Sequence, residues 1–307
     1  RNLQMPINEM SLPIRIDTRT GDTTSYQRQK QLKKPPHILL TTPESLMLLL
    51  SYTSAPLFFK QLKLIIVDEL HSFANTKRGD LACLALAKLR SYSPETRTIG
   101  LSATIANPQR MAKWLVPTGM PVMVLNKEVA EKPVVNLLTQ NNIPYCGYKA
   151  RYAISTIYET IKKHQMTIIF VNTRANAEFL FNQLWLSNQA NLPIAIYHGS
   201  LSKEQRLKTE QLSVDGKIKA IVATSALELG IDWGNVDAVI QVGAPHGVSR
   251  LLQRIGRSNH QINKPSLAYL VPTNCFDALE AQAAMFAIEK GLLDEDEPRL
   301  GALDVVV

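Results

Sequence analysis

Short, uninterrupted apolar runs recur along this chain, and between them apolar residues return every three or four positions. Leu64–Val67, Thr167–Val171, Ile194–Tyr197, Ala220–Ala223, Ala238–Val242 and Leu267–Val271 are continuous enough to predict strands buried between covering helices. His37–Thr41 and Thr98–Leu101 predict two more. In the intervals, Leu81–Leu89 is rich in helix formers, and helices are expected at Pro108–Leu115, Arg151–Lys163 and Ala175–Leu186. Strand and helix alternating in this way mark βαβ units on a parallel sheet. The pattern weakens across Pro117–Tyr148, which holds Pro117, Pro121, Pro133 and Pro144, and then resumes. A domain boundary is expected there, near Lys127–Lys132. The expected fold class is α/β: two tandem domains, 1–127 and 128–307, each with a parallel sheet.

Composition narrows the class. With 45% hydrophobic and 20% charged residues, the balance is that of a globular chain rather than a disordered one. No apolar stretch reaches membrane-spanning length, and Arg1–Pro6 lacks a basic start followed by an apolar core. A cytoplasmic location with no membrane partner is expected. Cys83, Cys146 and Cys275 lie far apart with no close pair for a metal, so reduced core thiols are expected. The net charge of +8 fits a polyanionic partner.

Candidate chemistry gathers where predicted strands end, the edge at which open α/β sheets bind ligands. Leu64–Val67 runs directly into Asp68, Glu69 and, two residues on, His71. Asp68 can simply cap the turn, with Glu69 solvated. In the other reading one carboxylate holds Mg²⁺ through water while its neighbour orients an attacking water, as in P-loop nucleotide hydrolases. Ser102 and Thr104 follow the next strand, which is expected beside the first. A hydrogen bond from His71 to either hydroxyl would link a nucleotide site to what lies beyond it.

Further along, helical spacing puts Arg250, Arg254 and Arg257 on one face, with Leu251, Leu252 and Ile255 covering much of the other. A solvated basic face and guanidinium groups aimed at phosphoryl charge are both open. Thr42 reads as an N-cap with Pro43 at the first helical position, a start that offers N–H groups to a phosphate although Glu44 opposes an anion. Thr224, Ser225 and the later Gly230-Ile231-Asp232 also follow a predicted strand.

Taken in order, these segments resemble the motifs of superfamily 2 helicases. TTPESL resembles motif Ib, VDELH the DExH motif II, LSAT motif III, IIFVNTR motif IV, TSALELGID motif V and QRIGRSNH motif VI. RTGDT, TKRG and PHGVSRLLQRIGRSNH narrow the likeness to the large helicase-related family, in particular its bacterial DNA-ligase-associated DExH branch. The resemblance implies two RecA-like domains and an ATP-dependent translocase on single-stranded DNA or RNA. It also implies Mg²⁺ and ATP as cofactors, a role in DNA repair, and a DNA ligase and a nuclease as partners.

Residue by residue it implies that Asp68 coordinates Mg²⁺–ATP through water and Glu69 activates the attacking water. His71, Ser102 and Thr104 would couple that site to nucleic acid. Gly230 and Asp232 would touch nucleotide, and Gln253, Arg254 and Arg257 would face the γ-phosphate. Thr42, Pro43, Arg174, His198, Gly199, Thr224 and Ser225 would line the strand path. Asn259 departs from the small residue usual before the motif VI His.

One larger departure concerns ATP. The phosphate-cradling loop G-x-x-x-x-G-K-[ST] does not occur in this sequence; Gly216-Lys217 continues with Ile218 and lacks the earlier glycine. Arg1–Leu3 resembles sequence just after motif Ia, and Leu303–Val305 the join to a winged helix. The expectation is a piece of a motor with an incomplete first sheet, inactive by itself. The alternative is a non-catalytic nucleic-acid-binding fragment.

Overall fold

The structure is a computed structural model that describes residues 3–73, 76–102, 105–117, 119–125, 132–138, 143–147, 149–227, 233, 235–258 and 265–294. Thr104, Gly230, Asp232 and Asn259 lie outside the described residues. The described chain falls into two compact units, one ending at Leu125 and the other at Asp294.

The first unit runs α1 (Gln4–Glu9), β1 (Ile16–Arg19), α2 (Ser25–Lys33), β2 (Ile38–Thr41), α3 (Pro43–Leu50), α4 (Ala55–Phe59), β3 (Leu64–Val67), α5 (Lys77–Tyr92), β4 (Arg97–Gly100) and α6 (Pro108–Leu115). β1 pairs with β2 and β3 with β4, both in parallel. Helix starts follow local chemistry: Thr42, Thr76 and Asn107 each accept a hydrogen bond from the backbone N–H three residues on. Pro43 and Pro108 stand at the first helical position, where a missing N–H costs nothing.

Strand β3 corrects one expectation. Ile65 and Val67 pack on residues of α3–α6, among them Leu49, Leu86, Leu89, Met111 and Leu115. On the opposite side Leu64 is 43% exposed and Ile66 57%. Successive strand residues point to opposite faces, and the cores of this unit reach only one of them. Among the described residues, β3 is therefore covered on one face rather than the two expected.

The second unit runs β5 (Val134–Leu137), α7 (Ile154–Lys163), β6 (Thr167–Val171), α8 (Arg174–Leu186), β7 (Ile194–Tyr197), α9 (Lys203–Val214), β8 (Ala220–Ala223), β9 (Ala238–Val242), α10 (Val248–Ile255), β10 (Leu267–Val271) and α11 (Cys275–Lys290). Its strands form one six-stranded sheet in the order β5-β10-β9-β6-β8-β7, every neighbouring pair parallel. β6, β8 and β9 are buried at every position. Ile169, Val171, Val222 and Ile240 join α7 and α8 on one side, while Ile168, Phe170, Ile221 and Val239 pack with Leu227 and Trp233 on the other. Each such side chain stabilises by about 1.5–3 kcal/mol relative to exposure. The carboxyl ends of β6, β8 and β9 thus sit on a rigid edge.

Candidate functional site

β3 and β4 pair with Val67 opposite Gly100, so the two strands leave the sheet side by side. The Leu101 N–H donates to the Val67 carbonyl and the Leu70 N–H to the Leu101 carbonyl, both at 2.9 Å, which locks the two exits together. A side chain at Gly100 would run into Leu115 and Leu70, so the glycine lets Leu70 close over the strand end.

Asp68 is exposed at this edge, and its Oδ1 accepts the Glu69 N–H at 3.0 Å. Glu69 itself takes φ +51°, the left-handed region that a residue with a Cβ visits at a cost. The chain then turns through a 3-10 segment, Leu70–Phe73. That turn brings His71 back: Nδ1 lies 2.7 Å from Ser102 Oγ, and Nε2 lies 3.4 Å from Glu69 Oε2. Glu69, His71 and Ser102 therefore form one continuous polar chain across the ends of β3 and β4. The link expected from His71 to a hydroxyl of the next strand is present.

At the start of α3, Thr42 Oγ1 accepts the Ser45 N–H at 3.3 Å, as an N-cap should. Thr41 Oγ1 donates to the Arg19 carbonyl at 2.9 Å and ties this turn to the RTGDT loop. Glu44 pairs with Arg78, Nε to Oε1 at 2.8 Å. Burial alone would raise the Glu44 carboxyl. Its own backbone N–H, the Thr42 hydroxyl and Arg78 outweigh that and hold it below its ordinary value. The charge that opposes an anion here is therefore partly offset.

In the second unit Thr173 caps α8 and sets Arg174 at its first position. Arg174 Nε lies 2.9 Å from Glu178 Oε1, and His198 Nε2 lies 3.7 Å from the same oxygen. Arg174 and His198 are thus brought together through one carboxylate. Arg174 is exposed, whereas His198 is only 4% exposed. Gly199 is exposed with open space where a Cβ would stand. Thr224 follows β8, its N–H donating to the Tyr197 carbonyl at 3.3 Å, and Ser225, itself exposed, opens a 3-10 turn.

Helix α10 divides the arginines expected on one face. Arg250 is exposed, Arg254 is buried with Leu251 and Ile255, and Arg257 lies half-buried just past the helix end. Gln253 is also half-buried. Arg254 Nη1 donates to Gln241 Oε1, and its guanidinium lies 5.1 Å from the centre of the Phe170 ring. Asp294 holds the opposite end, accepting the Ser249 N–H at 2.8 Å. Gly247, at φ +97°, leaves room for that carboxylate; a Cβ there would come within 2.7 Å of it. Sequence reasoning missed Gln241, Asn172 and Asp294. Gln241 had a signal, as the one amide inside the apolar run of β9.

No group of three or more metal-ligating side chains occurs among the described residues. Asp68, a single exposed carboxylate, fits Mg²⁺, which keeps several waters and takes one or two carboxylates beside phosphate oxygens.

Residues 2–111 match the model of the DEAD/DEAH box helicase family, and residues 149–260 match the helicase conserved C-terminal domain. The whole chain is 36% identical to the ATP-dependent helicase Lhr-Core of Methanothermobacter thermautotrophicus. The chain belongs to the Lhr-type superfamily 2 helicases. It spans 38% of the length of that Lhr-Core protein. The Lhr helicase/uracil glycosylase of Escherichia coli is 32% identical over all of the chain, which covers 24% of it. Among solved structures, Mycobacterium smegmatis helicase Lhr bound to single-stranded DNA and AMP-PNP superposes with a TM-score of 0.86 at 32% identity. That match covers 100% of this Lhr-type chain and 42% of the other. The DUF1998 helicase MrfA bound to DNA and AMPPNP gives 0.80 at 25% identity, covering 99% and 44%.

Proposed function

We propose that this chain is the two-domain core of an ATP-dependent translocase that moves along single-stranded DNA. The observation that carries the reading is the polar chain Glu69–His71–Ser102 beside Asp68. Two carboxylates with different surroundings can divide the work: an exposed one for a hydrated cation, and a half-buried one, braced by His71, to orient water. Mg²⁺, when bound, would neutralise charge on the phosphate oxygens. Gln253 and Arg257 are assigned to nucleotide, as are Gly230 and Asp232. Ser102, Thr104 and His71 pass the state of the carboxylates onward.

Thr42, Pro43, Arg174, His198, Gly199, Thr224 and Ser225 are assigned to the strand, His198 acting through the Glu178 carboxylate that it shares with Arg174. Single-stranded DNA is favoured over RNA by the ligand named for the M. smegmatis Lhr structure. The motifs' likeness to the ligase-associated branch supports a role in DNA repair beside a DNA ligase and a nuclease in the cytoplasm. A second reading, a nucleic-acid-binding module without turnover, is favoured for the chain by itself by the lack of a G-x-x-x-x-G-K-[ST] loop in its sequence.

Strand binding tests the assignment. Fluorescence anisotropy with labelled oligo(dT) should show affinity falling steeply as salt rises, because each phosphate contact releases counterions. Arg174→Ala should weaken binding and reduce the salt slope by about 0.7. Binding that ignores both salt and Arg174 would contradict the assignment.

A further inference from the structure

Gln241 is fully buried in the middle of the second unit's sheet, in a strand otherwise composed of Ala, Val and Ile. A buried amide is costly unless both its ends are satisfied, and here both are used. Its Oε1 accepts from Arg254 on α10. Its Nε2 donates to Asn172 Oδ1 at 3.4 Å and to the Gly243 carbonyl at 3.2 Å. Asn172 in turn donates to the Ala244 carbonyl at 2.9 Å. Gly243, at φ +86°, makes the turn out of β9, and a Cβ there would stand 3.2 Å from the Asn172 amide. The packing leaves this chain of amides little slack.

We propose that Arg254–Gln241–Asn172 is a relay that couples the C-terminal end of α10, with Arg257 just beyond it, to the strand-end loop that leads to Arg174. Its placement carries the idea: Asn172 is two residues before Arg174, and Arg254 is three before Arg257. Arg254 is thereby a positioning residue rather than one that faces phosphate, since the residue is 2% exposed and its guanidinium lies on Phe170. The inference rests on the assignment of Arg174 to nucleic acid.

Hydrogen exchange on this chain, with and without saturating oligo(dT), tests it. In the wild type, exchange of amides 248–258 should slow by at least about fivefold on binding. Asn172→Ala should keep its oligo(dT) affinity and lose that slowing in 248–258. Gln241→Glu keeps an acceptor for Arg254 but replaces the donor to Asn172 with a second acceptor, so it should also lose the slowing. Circular dichroism melts show whether each variant is folded, and either one folded suffices. Slowing that persists in a folded variant that still binds would overturn the relay, as would a wild type that binds oligo(dT) without any change in 248–258; both outcomes leave the strand assignment standing. A wild type that binds no oligo(dT) overturns the strand assignment, and the relay falls with it.

Discussion

At the scale of single residues, the site depends on where a few polar groups are forced to sit. Glu69 is held in a left-handed conformation with its carboxylate against His71, and Arg254 is held under α10 by Gln241. Strand ends and spacing made Asp68, Glu69, His71 and Ser102 legible, because parallel neighbours deliver their exits to one edge. The burial of Arg254 was not legible. Helical spacing groups it with Arg250 and Arg257 but does not say where the packed face ends.

His164 gives a pH signature at this scale. Burial pushes its pKa down, Asp237 opposes that, and Lys219 and Lys163 add to it; its Nε2 lies 3.2 Å from the Tyr269 hydroxyl. The folded chain therefore prefers the neutral ring, while the unfolded chain takes up a proton near the ordinary value of 6.5. The His164 contribution should be complete above that pH and be lost as pH falls below it. Urea midpoints measured from pH 8 down to pH 5 should fall less steeply for His164→Gln than for wild type. Equal slopes would contradict the burial argument.

Among elements, the five later strands expected in the second unit kept their bounds; the central ones, β6, β8 and β9, are buried on both faces and apolar but for Thr167 and Gln241. β1 and β5 were hidden for physical reasons. Ile16-Asp17-Thr18-Arg19 has one apolar residue, and its buried Arg19 donates to Gln31 and lies over the Tyr52 ring. Val134–Leu137 is an edge strand, paired among the described residues with β10 alone, in a stretch broken by prolines. Caps set several helix bounds, and α11 depends on a buried one. Asn274 is 5% exposed; its Oδ1 accepts the Asp277 N–H at 3.0 Å and its Nδ2 donates to the Gly147 carbonyl at 2.8 Å. Asn274→Ala should cost about 1–2 kcal/mol in denaturant unfolding, with Asn274→Asp recovering part of it. A neutral alanine variant would show that the cap is not what fixes the helix start.

For the whole molecule, the sequence carries a net charge of +8 and two matched helicase segments, 2–111 and 149–260. The charge suits long-range attraction of a polyanion and does not distinguish one nucleic acid from another. The proposed chemistry lies at the carboxyl edge, where Glu69 is assigned to orient the water that attacks ATP. The decisive measurement is DNA-stimulated ATP hydrolysis by the complete protein, wild type against Glu69→Gln, with nucleotide binding measured in parallel. Turnover should fall by at least about a hundredfold, the contribution of a positioned acid or base, while nucleotide binding is retained. Wild-type hydrolysis by Glu69→Gln would contradict the assignment of the DELH segment and the account built on it.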